Sequence, residues 1–244
     1  MAVTSLVVLA IFLGALTRAT FGFGEAVVSM PLLALLPIGL HTAASLVGLA
    51  GLTVAILSVV GRRPEIDRAA LARLSVGTIL GVPFGVALLV YVPGRIVAVV
   101  LGAVLAMYGV YNLVPTAARK EVGLQWAYPA GLFAGALGSA YNFTGVPVVV
   151  YGTLRGWRPA VFRGTLQVHF VIAGILVVAA QALGGIWTPR FPSLFALSLP
   201  AIAVGTWCGH LLHARIPAHR FTRYVYVLVF ALGVVLFVRS GLAA

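Results

Sequence analysis

The stretch that decides the fold is residues 14–30, which read GALTRATFGFGEAVVSM. Glycines and polar residues at 17–25 interrupt an otherwise apolar pattern, and a second stretch, GALGSAYNFTGVPVVV at 135–150, is interrupted in the same way over 138–145. The four apolar arms around these two breaks lie at roughly 3–17, 23–36, 126–141 and 145–154. Each arm is shorter than the about 20 residues that a helix needs to cross the hydrocarbon core of a membrane. We therefore predict two broken segments inside a membrane.

The remainder of the chain is strongly apolar as well. Hydrophobic residues make up 62% of the 244 residues and charged residues 8%, and the mean hydropathy is +1.13. A soluble domain carries about a quarter charged residues, and the apolar runs are continuous instead of alternating, so membrane-spanning helices fit better than a barrel. Full-length spans are predicted at 41–60, 70–91, 95–114, 163–185, 193–213 and 221–240. The predicted fold class is an all-α polytopic membrane protein.

The two breaks also align with each other. Gly14-Ala15-Leu16 matches Gly135-Ala136-Leu137 at an offset of 121 positions, and three full-length spans follow each break. Corresponding interrupted segments in two halves of a chain are typical of transporters built from internal repeats. We predict a single membrane domain over 1–244, composed of repeat one at 1–118 and repeat two at 119–244.

The arginines and lysines of the loops distinguish two topologies. If each broken pair crosses the membrane once, the two sides hold eight and seven basic residues. If each pair is a re-entrant hairpin, twelve lie on one side, in loops 61–73, 115–125, 155–163 and 214–223, and three on the other. Since cytoplasmic loops carry an excess of basic residues, we predict two inverted repeats, each a re-entrant broken helical hairpin plus three transmembrane helices. Both termini then lie outside the cytoplasm.

The hairpin tips are the predicted binding site, because non-helical backbone at membrane depth is tolerated only where it lines a cavity or is buried in protein. Arg18 can clamp an oxyanion with its planar fork, or it can form an ion pair with Glu25 or reach an interface. Helices that start near Gly24 and Gly145 would add unpaired N–H groups and positive dipole ends. The candidate substrate-binding residues are Arg18, Thr20, Gly22, Gly24, Ser139, Tyr141, Asn142, Thr144, Gly145, Thr165 and Gln167. The alternative is that these polar groups satisfy broken backbone or join helices.

Glu25 and His169 are the candidates for proton coupling, because they could titrate inside apolar segments. Glu25 could instead be a helix N-terminal residue that the dipole favours. His210 and His213 are spaced as neighbours on a helix, but they lack a third ligand, so no metal site is expected. No cofactor is expected either.

Several of these residues carry a resemblance to a known family. The break Phe21–Glu25, followed by Val27–Leu33 and His41–Leu46, resembles the first signature of the TauE/SafE sulfite-exporter family. Gly145–Val150 and Arg163–Leu166 resemble its degenerate second copy. The resemblance covers nearly the whole chain and implies export or uptake of sulfite, sulfonates or related small organic anions. The chain departs from the family pattern in having fewer glycines in the first signature, with Glu25 there, and Asn142 and Thr144 in the second.

Taken together, these features predict a secondary transporter of small anions that works by alternating access and is not an enzyme. It is expected to be a multi-pass protein of the cell inner membrane. The alternatives are a passive anion channel, or an intramembrane enzyme, which would need a nucleophile–base or metal constellation. The expected partners are a small anionic substrate and membrane lipid, with a homodimer left open. The net charge of +12 belongs to the loops, so no nucleic acid is expected.

Overall fold

The computed structural model of the protein describes residues 2–61, 63–93 and 122–213, with individual helical positions within 96–110 and 227–238. All regular structure in these residues is helical, as predicted: eight α-helices and one short 3₁₀ turn at Leu124–Trp126. The helices are α1 (Ala2–Phe21), α2 (Glu25–Ala34), α3 (Leu40–Val59), α4 (Arg68–Tyr91), α5 (Ala127–Tyr141), α6 (Gly145–Leu154), α7 (Pro159–Leu183) and α8 (Phe191–His213). Five of them, α1, α3, α4, α7 and α8, are long and apolar enough to cross a membrane.

Four of the six predicted full-length spans are present as α3, α4, α7 and α8. Local signals explain where two of them begin. The Asp67 carboxylate accepts a hydrogen bond from the Ala70 N–H at 3.0 Å and caps α4. Pro159 begins α7 in the first helical position, where a backbone N–H would have no partner within the helix in any case. The predicted spans 95–114 and 221–240 lie largely outside the described residues, although the positions described within them are helical.

The breaks are narrower than the sequence predicted. α1 continues through Arg18 to Phe21, so the first break is only Gly22–Gly24, and α1 is a 20-residue helix instead of a short arm. The Thr20 hydroxyl explains the extension, since it donates to the Leu16 carbonyl at 2.7 Å and keeps its polar group inside the helix. The chain leaves the helix where Gly22 and Gly24 adopt φ values of 86° and 97°.

The second break is likewise only three residues long, Asn142–Thr144, because α5 continues to Tyr141. Asn142 ends α5 with a left-handed φ of 62°, a conformation that asparagine tolerates better than most residues. Its N–H donates to the Gly138 carbonyl at 2.7 Å, and the Phe143 N–H donates to the Leu137 carbonyl at 3.1 Å. These bonds close the last turn and redirect the chain.

The two helices on either side of each break run antiparallel. The Ser29 hydroxyl of α2 donates to the Ala10 carbonyl of α1 at 3.0 Å, and a Cβ on Gly14 would contact the Glu25 backbone, so the two helices pair in reverse order. In the second pair, the Val122 N–H before α5 donates to the Leu154 carbonyl at the end of α6, at 3.1 Å. In each case the chain turns back at the break.

Helices from the two halves of the chain pack at very short distance through glycines. A Cβ on Gly81 of α4 would collide with the Leu132 carbonyl of α5 and lie 2.9 Å from the Ala136 nitrogen. A Cβ on Gly209 of α8 would lie 2.7 Å from the Leu16 carbonyl oxygen of α1. Small residues allow such close contact between membrane helices. The first helix of each half thus packs on the last full-length described helix of the other half.

The two ends of α3, about 30 Å apart for 20 residues, mark two faces of the molecule. At the start of α3, Thr42 shares a hydrogen bond of 2.8 Å with Thr188 in the loop before α8. Beyond its other end, the Trp157 indole donates to the Asp67 carboxylate at 3.2 Å. Loops 61–67 and 155–158 therefore lie together at one face, and the loop before α8 lies at the other.

Candidate functional site

A buried ion pair spans the first break. The Arg18 Nη1 atom in the last turn of α1 lies 3.0 Å from the Glu25 Oε2 atom in the first turn of α2. Arg18 is 8% exposed and Glu25 3% exposed. The guanidinium carbon of Arg18 also lies 4.5 Å from the centre of the Phe170 ring, an attractive cation–π arrangement. The ion pair that the sequence left as an alternative for Arg18 is thus present, and Arg18 does not reach an interface.

This ion pair uses only part of each charged group. Within the described residues, Nε and Nη2 of Arg18 and Oε1 of Glu25 are buried without a hydrogen-bond partner. Nε and Nη2 form one edge of the guanidinium plane, and such an edge binds two oxygens of one oxyanion in parallel. The ion pair and the anion clamp are therefore compatible, because Glu25 contacts Nη1 of Arg18, whereas an anion would use Nε and Nη2.

The ion pair lines a central cavity of about 60 Å³ between the two breaks and the helices α3 and α7. About 10–15 Å³ of such space is enough to hold one water molecule. Its walls are formed by Arg18, Phe23, Gly24, Glu25, Ala26, Val27, Val47, Gly48, Gly51, Leu52, Asn142, Phe143, Thr144, Gly145, Val146, Phe170, Gly174 and Val177. A small, largely dehydrated group fits this space.

Two helix N-termini open on the central cavity. α2 starts after Gly24 and α6 starts after Thr144, and neither of these capping residues makes a side-chain capping hydrogen bond. The first N–H groups of a helix have no partner within the helix, and the positive end of its dipole lies there. The cavity therefore combines an unused arginine edge with two positive helix ends, an arrangement that favours an anion.

The second break is attached to α3 of the first half. The Asn142 amide nitrogen donates to the Ala44 carbonyl at 2.7 Å, and its Oδ1 would lie 2.9 Å from a Cβ on Gly48. Gln181 of α7, which the sequence analysis missed, approaches Gly48 as well. Its amide nitrogen donates to the Ser139 carbonyl at 3.1 Å, and its Oε1 would lie 3.0 Å from the Cβ on Gly48. The signal that could have found Gln181 is a lone amide in an apolar span.

The first break is attached in a reciprocal way to α7 of the second half. The Gln167 amide nitrogen donates to the Gly22 carbonyl at 2.8 Å. Gln167 lines a second cavity of about 310 Å³, which we call the basic vestibule; its walls are Ala19, Ser58, Val59, Arg63, Pro64, Glu65, Ala160, Arg163, Gly164, Gln167 and His210. The vestibule and the central cavity lie on different sides of the first break, with Ala19 facing one and Arg18 the other.

The structure brings together five of the predicted substrate-binding residues, Arg18, Gly24, Asn142, Thr144 and Gly145, and Glu25 with them. Gly22 and Gln167 form the hydrogen bond between the central cavity and the vestibule. Three further candidates contact protein instead of either cavity. Thr20 bonds the Leu16 carbonyl, Ser139 donates to the Val82 carbonyl at 2.9 Å, and Tyr141 is fully buried.

Thr165 and His169 also lie outside the central cavity. The Thr165 hydroxyl accepts a hydrogen bond from the Asp67 N–H at 3.0 Å. His169 Nε2 lies 3.0 Å from the Thr78 hydroxyl oxygen, and that hydroxyl lies 2.8 Å from the Leu74 carbonyl. The His169 ring and the Thr78 hydroxyl share this hydrogen bond, whose direction depends on the tautomer of the ring. His169 therefore joins α7 to α4.

Long apolar helices around a small buried polar cavity are typical of a membrane transport protein. The chain belongs to the sulfite exporter TauE/SafE family, whose family model matches residues 7–236. The resemblance noted in the sequence is thereby confirmed, and membership implies a multi-pass membrane transporter of sulfur anions. Searches of the curated proteins and of the solved structures found no match.

Proposed function

We propose that the protein is a secondary transporter that moves sulfite, sulfonates or related small organic anions across the cell inner membrane. The observation that carries the proposal is the buried, unpartnered Nε and Nη2 edge of Arg18, a residue that lines a cavity beside the starts of α2 and α6. The anion binds to this edge, and the N–H groups at the starts of α2 and α6 receive its remaining charge.

The transporter is built from two inverted repeats, each with a re-entrant hairpin. Two observations support this architecture. Helix packing is reciprocal, with α1 on α8 and α5 on α4, and each break is attached to the long helix that follows the hairpin of the other half. The basic loops 61–67 and 155–158 lie at one face, as the hairpin topology requires, whereas single crossings would separate them.

Alternating access works around the central cavity. In this state, the Gly22–Gln167 hydrogen bond and the first break separate the central cavity from the basic vestibule. Moving the first hairpin away from α7, which breaks the Gly22–Gln167 bond, would open a route between the two spaces. The separation favours a transporter over a passive channel. Uptake of labelled sulfite into liposomes distinguishes the two classes of protein. A coupled transporter accumulates sulfite against its gradient, whereas a channel can only equilibrate the anion.

Glu25 is the group that couples transport to protons. Its charge offsets that of Arg18, so protonation of Glu25 leaves a net positive charge in the cavity, where an anion then binds more tightly. One proton and one monovalent anion can therefore move together. His169 is the less suitable candidate, because its ring contacts Thr78 and not the cavity.

Substitution of Arg18 tests the binding site. Arg18→Lys keeps the charge but removes the bidentate edge. Because hydrogen bonds to charged groups contribute about 1.5–3 kcal/mol each, sulfite affinity is expected to fall at least tenfold. Isothermal titration calorimetry on the protein in lipid nanodiscs measures the sulfite affinity. The neutral double variant Arg18→Gln, Glu25→Gln removes the edge without leaving a buried unpaired charge.

The matched control is Arg158→Gln. Arg158 is also paired with a glutamate, Glu65 at 3.4 Å, but its side chain is 80% exposed, so sulfite binding should not change. Unchanged affinity in Arg18→Lys would remove Arg18 from the site and leave the proposal without its main support.

A further inference from the structure

We infer that Asn142 and Gln181 form a binding site for a small monovalent cation, Na⁺, on the surface of α3 at Gly48. Both side-chain amides have a fixed orientation, because each nitrogen donates to a backbone carbonyl: Asn142 to Ala44 at 2.7 Å and Gln181 to Ser139 at 3.1 Å. The two amide oxygens must therefore point the other way.

The two oxygens converge on one point. Measured from an ideal Cβ built on Gly48, Oδ1 of Asn142 lies at 2.9 Å and Oε1 of Gln181 at 3.0 Å. Gln181 is fully buried, and its oxygen has no hydrogen-bond partner within the described part of the chain. Two carbonyl dipoles that face each other in a buried space repel, and an unsatisfied buried acceptor is costly. Because Gly48 has no side chain, both oxygens approach α3 closely here, and one small cation between them would satisfy both.

A cation is the occupant that this environment favours. The point lies near the C-terminal end of α5, where the helix dipole is negative, and broken helices in transporters bind Na⁺ at such ends. Amide oxygens are ligands for hard cations. Both ligands are neutral, and the Glu25 carboxylate is paired with Arg18, so a monovalent ion fits better than a divalent one. Among the described residues, no three His, Cys, Asp or Glu side chains lie close enough together to hold a metal ion.

The cation site lies one helical turn from the anion site. Gly51 follows Gly48 by three positions on the same face of α3, and a Cβ there would lie 3.1 Å from the Nη1 atom of Arg18. A cation beside Gly48 would attract an anion bound at Arg18, so each ion would strengthen binding of the other. This coupling rests on the proposed transport function, whereas the cation site itself does not.

Direct binding of ²²Na⁺ to the full chain tests the site. The purified protein in lipid nanodiscs is measured by scintillation proximity in gluconate salts at constant ionic strength, with choline as the inert cation and no sulfur anion present. We expect saturable ²²Na⁺ binding that unlabelled Na⁺ displaces and choline does not, and a higher melting temperature in Na⁺ than in choline. Absence of saturable binding by the wild-type protein would overturn the inference, while calorimetry with sulfite would still report on Arg18 separately.

Two variants locate the bound ion. Gly48→Ala places a methyl group between the two oxygens, and Gln181→Met removes one oxygen at similar side-chain length, so each should lower ²²Na⁺ affinity at least tenfold. The matched control is Gln125→Met in the exposed turn before α5, which should leave ²²Na⁺ affinity unchanged. Retention of wild-type ²²Na⁺ affinity in both Gly48→Ala and Gln181→Met would exclude this location.

Discussion

Arg18 and Glu25 are an unusual choice if their purpose is stability. A buried ion pair often gains no more than well-packed apolar residues would, because both charges lose their hydration. Here the cost is increased by the buried donors Nε and Nη2 of Arg18 and the acceptor Oε1 of Glu25, which have no partner among the described residues. Such incomplete satisfaction is expected where a ligand completes the hydrogen bonds.

Glu25→Gln should tighten anion binding and remove its dependence on pH. A unit charge about 5 Å away contributes on the order of 3 kcal/mol at an effective dielectric constant of 20, so sulfonate affinity at neutral pH is expected to rise at least tenfold. Because deprotonation of wild-type Glu25 restores the repulsion, wild-type affinity should fall as the pH rises, and that of the variant should stay constant. Calorimetric titration with an alkyl sulfonate, which stays ionised throughout, measures both.

Glu65→Gln serves as the control for this experiment. Glu65 carries the same group in an exposed ion pair with Arg158, where solvent screens its charge, so affinity should match the wild type. If the pH dependence of binding survives in Glu25→Gln, another group couples protons to transport.

The sequence indicated Arg18 and Asn142 because polar residues are rare within interrupted apolar segments. It could not separate an ion pair from an anion clamp at Arg18, since the answer depends on which guanidinium nitrogens remain unpartnered. It also missed Gln181, because its role depends on proximity to Asn142 and Gly48, residues far away in the chain. The contact of His169 with Thr78 was also beyond sequence reasoning, because the two residues are 91 positions apart.

The two broken helical pairs show that the ends of helices are hard to predict from sequence. The polar run 17–21 resembles a loop, yet it forms the last turn of α1, because the hydroxyls of Thr17 and Thr20 each donate to a carbonyl four residues earlier, at 2.7 Å. The glycines that follow were recognisable, since their positive φ values are costly for other residues. Within the described residues, the order of the helices was thus predictable, whereas the length of α1 was not.

Gly81→Ala should disrupt the contact between α4 and α5. The new methyl group would meet the backbone of Leu132 and Ala136, which cannot move as a side chain can, so the free energy of unfolding should fall by about 1–3 kcal/mol. Thermal unfolding in detergent, followed by tryptophan fluorescence, measures the loss. Gly174→Ala is the control, because its methyl would meet mainly the flexible side chain of Leu52. Equal melting of the two variants would contradict tight backbone packing at this interface.

For the molecule as a whole, the topology has a direct test. Arg158→Cys and Arg190→Cys, each made in a Cys208→Ser background, introduce exposed thiols into loops that the hairpin topology assigns to opposite sides of the membrane. In intact cells an impermeant maleimide should label position 190 and not position 158, because the basic loops face the cytoplasm. Both positions should react after lysis.

The reverse labelling pattern would mean that the protein has the opposite orientation in the membrane, with the same fold. Labelling of both positions from outside would contradict the hairpin topology itself. Arg63→Cys offers a further position on the predicted cytoplasmic side, because it is exposed in the loop before α4, which the Asp67–Trp157 bond brings beside residue 158.

The Gly22–Gln167 bond has a consequence for how the protein is made. Its two residues are 145 positions apart, so a ribosome adding 5–20 residues per second completes Gln167 roughly 7–30 s after Gly22. Throughout that interval, the newly inserted first half lacks the partner of its hairpin tip, and the buried charges of Arg18 and Glu25 lack the helix that covers them. Biogenesis must therefore shelter an unfinished half in the insertion machinery until translation supplies the other.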